Sequence, residues 1–131
     1  MTLDELIDAA AARIRRYTPT EAAAADAVLV DIRSQDARAR DGAIPGAHHI
    51  PRTVLEWRLA SDEWRNEELD GRSLILVCDH GYSSILAAAT LVELGRDAGD
   101  LAGGFEAWRD AGLPVAEART HAGLPGMGPP D

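Results

Sequence analysis

The stretch Leu74–Glu93, LILVCDHGYSSILAAATLVE, constrains the fold more than any other part of the chain. Leu74, Ile75, Leu76 and Val77 form an unbroken apolar run, the pattern of a short strand covered on both faces in a parallel sheet. The run stops at Cys78, the only cysteine. Asp79, His80, Gly81 and Tyr82 follow as a loop, and then Ser83 and Ser84 lead into Ile85–Val92. Serine is a preferred helix N-cap and glycine a preferred C-terminal stop, so a helix is predicted from Ser83 or Ser84 to Leu94, closed by Gly95. A buried strand that turns directly into a helix implies an α/β architecture.

The chemistry follows from this geometry. A short loop closing on a helix start presents unpaired backbone N–H groups and the positive end of the helix dipole, a cradle for an anion. The same field stabilises a thiolate at its edge. Lowering a cysteine pKa from about 8.5 to about 7 raises the thiolate fraction at neutral pH from roughly 3% to roughly half. Two readings of Cys78 stand at this point: a reactive nucleophile, or a small buried side chain packed as an apolar residue.

A chain of 131 residues, 46% of them hydrophobic, suits one compact domain. A single cysteine makes no internal disulfide, and Asp4, Glu5 and Asp8 stand where a secretory signal needs positive charge, so a cytoplasmic setting is expected. No apolar run approaches the roughly 20 residues of a membrane span. The net charge of −9 argues against binding to nucleic acid or to an anionic membrane surface. It also opposes long-range attraction of an anionic substrate, so any anion site must be local.

Elsewhere the chain alternates helical and strand patterns. Thr2 and Glu5 have capping-box spacing, and Leu3, Leu6, Ile7, Ala10 and Ile14 recur at helical intervals, predicting an opening amphipathic helix over residues 1–15 that covers a sheet face or edge, or else binds a partner. A short edge strand is allowed at Arg16–Thr18, with a small helix over Thr20–Ala24. Ala27–Ile32 reads as a second buried strand. Asp31 and Arg33 lie at its carboxyl end, where open α/β sheets bind ligands; they form either a structural ion pair or part of the same crevice as Cys78. Ser34–Arg40 is predicted as a helix and His48–Ile50 as a brief strand. Adjacent His48 and His49 would point to opposite faces and no third ligand has zinc-like spacing, so no metal site is expected. Val54, Leu55, Trp57 and Leu59 read as core packing, and Ala60–Arg72 as an exposed loop or broken helix anchored by Trp64. Asp97–Leu101 has poor strand propensity because of Gly99 and Asp100, although the alternation calls for a strand there. A short helix follows at Phe105–Trp108, and residues 116–131, rich in glycine and proline, read as a mobile tail.

Four segments together carry a resemblance: VLVDIR at Val28–Arg33, GAIPGAHHIP at Gly42–Pro51, VCDHGYSS at Val77–Ser84 and LAGGFEAWRDAGLPV at Leu101–Val115. In order and spacing they resemble a rhodanese domain covering residues 16–115, and the cysteine loop is most similar to those of small single-domain thiosulfate sulfurtransferases. The resemblance implies a three-layer α/β/α domain with a five-stranded parallel sheet in the order 1-5-4-2-3. It also implies a sulfurtransferase in which the Cys78 thiolate takes sulfane sulfur from thiosulfate or another persulfide donor. The sulfur is held as a persulfide and passed to a thiol or cyanide. Asp79, His80, Gly81, Tyr82, Ser83, Ser84 and Arg33 are the candidate substrate-binding residues, and no cofactor is implied. The partners it implies are a small anionic sulfur donor and a thiol acceptor, with a sulfur-carrier or thioredoxin-like protein among the acceptors to be considered.

The loop departs from many of its relatives in having no arginine or lysine, and Asp79 sits beside the nucleophile, where a carboxylate disfavours a thiolate unless it points away. Arg33, Arg52 and a protonated His80 are the sequence candidates for compensation. Two other functions compete. A cysteine phosphatase needs an arginine six residues after the nucleophile, and that position is Ser84. A catalytically silent rhodanese-like binding or regulatory module has no need of Cys78, Gly81 and the helix start that follows them.

Overall fold

A computed structural model describes residues 1–131. Five parallel strands form one sheet: β1 (Arg16–Tyr17), β2 (Val28–Asp31), β3 (His48–His49), β4 (Leu74–Val77) and β5 (Ala98–Leu101), in the order β1-β5-β4-β2-β3. This is the sheet the resemblance implies. All four residues of β4 are buried, as their unbroken apolar run requires of a central strand. Leu74 and Leu76 face one side, with Leu55 and Leu59 of α4 (Leu55–Ala60) and Ala87, Ala88 and Leu91 of α5 (Ser83–Glu93). Ile75 and Val77 face the other, with Ala22 of α2 (Pro19–Ala24) and Phe105 and Trp108 of α6 (Gly104–Asp110). Each such apolar side chain removed from water contributes roughly 1.5–3 kcal/mol, so the two clusters fix both helical layers.

The poor strand by propensity is a strand after all. At Gly99 a Cβ would collide with the carbonyl of Arg15 on the neighbouring edge, so glycine is what lets β1 close on β5. Asp100 lies at the centre of β5, fully buried, paired in register with Arg16 on one side and Leu76 on the other.

Several local expectations change. The opening helix α1 (Leu3–Ala11) packs on α5 through Ala10, Ile85 and Ala89 and so covers a helix, not the sheet. Trp57 and Trp64 are both more than half exposed, at 56% and 52%. The segment after α4 is anchored instead by buried Leu69, and by Arg58, whose guanidinium donates to the Trp64 carbonyl. Ser83 and Ser84 do not cap α5, since Tyr82 occupies the cap position without a side-chain bond. Residues 116–131 contain no helix or strand, in keeping with their composition, yet they are tied to the body. Ala116 bridges Ala43, the Pro125 carbonyl accepts from Arg58, and the Asp131 carboxylate accepts from buried Arg38 at 2.5 and 2.6 Å.

No helix is long and apolar enough to cross a membrane.

Candidate active site

Cys78 follows the last residue of β4 and is 7% exposed. Its Sγ lies on the face of Leu74 and Leu76, toward α5. The loop returns so tightly that the Gly81 amide donates to Sγ at 3.1 Å. Gly81 has φ of +84°, a left-handed conformation in which glycine is strain-free. The start of α6 locks the loop from the far side: the amides of Phe105 and Glu106 donate to the carbonyls of Cys78 and Asp79 at 2.8 and 3.2 Å. A Cβ on Gly104 would lie 2.5 Å from the Cys78 carbonyl oxygen, so the GG pair is what allows this approach.

Ser84, in the first turn of α5 and fully buried, sits with Oγ 3.2 Å from Sγ. That same hydroxyl donates to Asp100 Oδ2 at 2.8 Å. Arg16 then holds Asp100, with Nε on Oδ1 at 2.9 Å and Nη2 on Oδ2 at 3.1 Å, and Nη2 also donates to the Gly81 carbonyl at 2.8 Å. Burial pushes the thiol up, but hydrogen bonding with the Ser84 side chain and amide, the Ser83 side chain and the Gly81 amide outweighs it and holds Cys78 below the ordinary cysteine value. The Arg16 guanidinium is raised, first by its bond to Asp100. Arg16 and Asp100 were not among the sequence candidates. The available signal was an aspartate inside a strand that burial requires to be apolar.

An open cavity of about 420 Å³ lies over Sγ, walled by Ile32, Arg33, Ser34, Asp79, His80, Tyr82 and Ser83. A larger groove, about 760 Å³, runs past Ala27, Ser73 and Asp97 at the amino ends of the strands, the edge of the sheet away from Cys78. The structure therefore gathers the loop candidates at one site. Tyr82 is 67% exposed at the rim. His80 is also exposed and its Nδ1 is 2.6 Å from Glu106 Oε2. Asp79 is half-buried and contributes, behind Asp41, to raising the pKa of Arg40, so a guanidinium lies within reach of its charge.

Arg33 lies at the cavity wall with its side chain turned inward. Its side chain is 0% exposed, bonded through Nε and Nη2 to Asp31 and through Nη2 to the Gly42 carbonyl, and stacked 3.9 Å over the Phe105 ring. Arg33 lines the cavity, but its guanidinium is held in a buried ion pair with Asp31 that fixes the loop after β2. Arg52 is bonded to Glu56. Arg33, Arg52 and His80 thus each have a carboxylate partner of their own. No cluster of three histidine, cysteine or acidic side chains is placed to hold a metal ion.

The comparisons agree with this architecture. Residues 18–111 match the rhodanese-like domain family. The chain is 44% identical over 97 residues to thiosulfate sulfurtransferase GlpE of Pseudomonas putida, an alignment covering 73% of this chain and 81% of that protein. It is 42% identical over 99 residues to the GlpE of Pseudomonas entomophila, covering 72% and 84%. Among solved structures it resembles a Rhodopseudomonas palustris protein of unknown function described as a possible tyrosine phosphatase, with 32% identity, a TM-score of 0.79, and coverage of 88% and 94%. The chain belongs to the rhodanese-like domain family.

Proposed function

We propose that this chain is a rhodanese-type sulfurtransferase that carries sulfane sulfur as a persulfide on Cys78. The observation that carries this reading is the placement of Sγ at the end of β4, open to a cavity and receiving the Gly81 amide at 3.1 Å, with its pKa held below the ordinary value. The Pseudomonas relatives named as thiosulfate sulfurtransferases support it.

In this reading the Cys78 thiolate attacks the outer sulfur of a donor such as thiosulfate. The new S–S bond forms as the donor's own S–S bond breaks, and sulfite leaves with the bonding electron pair. An acceptor thiolate or cyanide then attacks the terminal sulfur, and Cys78 leaves as the thiolate, ready for another cycle. The loop amides and the Ser83 hydroxyl stabilise the negative charge as it moves between sulfurs, which is oxyanion-hole logic applied to sulfur. A thiol acceptor, small or carried on a protein, reaches the cavity past Tyr82. Phosphate chemistry lacks its clamp, because the position six residues after Cys78 is the buried Ser84 hydroxyl rather than a guanidinium.

Intact-protein mass spectrometry after incubation with thiosulfate or a polysulfide tests the proposal. One added sulfur atom, mapped to the Cys78 peptide and absent from Cys78→Ser, is expected. No added sulfur from any of several sulfane donors would overturn it and favour a binding module.

A further inference from the structure

Around the nucleophile the hydrogen bonds close into a ring. Cys78 Sγ meets Ser84 Oγ, Ser84 meets Asp100, Asp100 meets Arg16, Arg16 meets the Gly81 carbonyl, and the Gly81 amide returns to Sγ. Its members come from β1, the cysteine loop, α5 and β5, and only Cys78 faces the cavity with its reacting atom.

A serine hydroxyl has a single proton to give. When Cys78 is a thiol, every group in the ring is satisfied: S–H donates to Ser84 Oγ, and the Ser84 hydroxyl donates to Asp100. When Cys78 ionises and its proton passes to water in the cavity, the ring is one proton short. The Ser84 hydroxyl then faces two anions, the thiolate at 3.2 Å and the carboxylate at 2.8 Å, and can serve only one. The other competitor is the acceptor that Arg16 grips at both oxygens, Nε on Oδ1 and Nη2 on Oδ2. We propose that Asp100, clamped by Arg16, is a positioning residue for the nucleophile: it competes with Cys78 for the Ser84 proton and so limits how readily Cys78 becomes a thiolate.

This inference rests on Cys78 being the reacting group, but not on sulfur being what it carries. The other ionisable groups around the ring are Asp79 and Tyr82 on the loop, His80 bonded to Glu106 of α6, and Arg33 bonded to Asp31 at the end of β2. None of them bonds to Ser84 or Asp100, so the competition is confined to the ring.

The test reads thiol ionisation directly, through the pH dependence of alkylation by iodoacetamide; with one cysteine in the chain, the signal belongs to Cys78. In Asp100→Asn the amide oxygen turns to the Arg16 donors and the NH₂ faces Ser84 Oγ, sending the serine proton to Sγ. The midpoint is expected to fall by about one pH unit. Removing a nearby negative charge would by itself act in the same direction, so the exchange is repeated in Ser84→Ala. A shift cut to less than half there supports the competition through Ser84. An equal shift in both backgrounds, or no fall in Asp100→Asn, overturns it. Should Asp100→Asn fail to fold, Arg16→Lys keeps the positive charge while giving up the two-point hold on Asp100. The freed carboxylate then draws Ser84 more strongly and the midpoint rises by roughly half a unit. An unmoved midpoint in that variant overturns the proposal. Persulfide formation measured separately tells failure of this inference from failure of the sulfurtransferase reading.

Discussion

Gly81 and Gly103 meet backbone to backbone: a Cβ on Gly81 would stand 2.6 Å from the Gly103 nitrogen. The loop that holds the nucleophile and the turn that starts α6 are therefore in contact where neither has a side chain to spare.

Gly81→Ala must both hold a side chain at φ of +84° and push two backbones apart. Gly95 supplies a matched control, since it has φ of +86° and open space where a Cβ would go. We expect Gly95→Ala to cost about 1 kcal/mol and Gly81→Ala about 3 kcal/mol in urea unfolding. Equal losses would mean that the contact with Gly103 is soft.

Arg33→Met breaks a fully buried ion pair and leaves Asp31 with Arg38 alone, at 3.3 Å. A loss of about 3–5 kcal/mol is expected, while KM for the sulfur donor in the folded protein stays unchanged. A raised KM without loss of stability would instead put the guanidinium on the substrate.

Asp79 lines the cavity, and Arg16, Arg33, Arg40 and Arg52 each have a carboxylate partner. A dianionic donor therefore meets net repulsion, and kcat/KM for thiosulfate should rise as salt screens it. Asp79→Asn is predicted to raise kcat/KM roughly threefold to tenfold at low ionic strength, with a smaller gain for a singly charged persulfide donor. Identical gains for both donors would remove the electrostatic explanation.

Burial depresses the imidazoles of both His48 and His49, and the bond of His49 Nε2 to the Arg33 carbonyl at 2.8 Å only partly offsets this. The unfolded chain thus binds protons more readily than the folded one. Their contribution to stability is complete above the unfolded value of about 6.5 and is lost as pH falls through the lower folded values. Urea midpoints should fall between neutral and mildly acidic pH, and His48→Gln with His49→Gln should flatten that slope. An unchanged slope would assign acid sensitivity to other groups.

The sheet was legible because its central strands are written in consecutive apolar residues, and the nucleophile because Cys78 ends the most apolar of them. The loop candidates came together because they are neighbours in sequence. What local reading could not supply was direction. Ser84 carries the residue type of a helix cap, yet the helix starts one residue earlier and turns its hydroxyl inward to Sγ and Asp100. Arg33 stands at a strand end where a ligand group belongs, but Phe105, distant in sequence, stacks on it and draws it inside. Trp57 and Trp64 have the chemistry of core residues and lie at the surface, while Leu69 and Arg58 are the buried side chains of that segment. Arg16 and Asp100 are joined only through the pairing of β1 with β5, so neither meant anything alone.

That pairing gives the site a history as well as a shape. The ring runs from Arg16 to Asp100, and no shorter length of chain can build it. A growing polypeptide, or one whose outer strand has come away, carries Cys78 without the tuned surroundings. Strand β1 has only two residues, and its guanidinium is a third exposed, so the closing contact is also the one most easily opened. Chemical reactivity of Cys78 would then report whether the first and last strands of the sheet are joined, and loss of that reactivity would precede loss of the core.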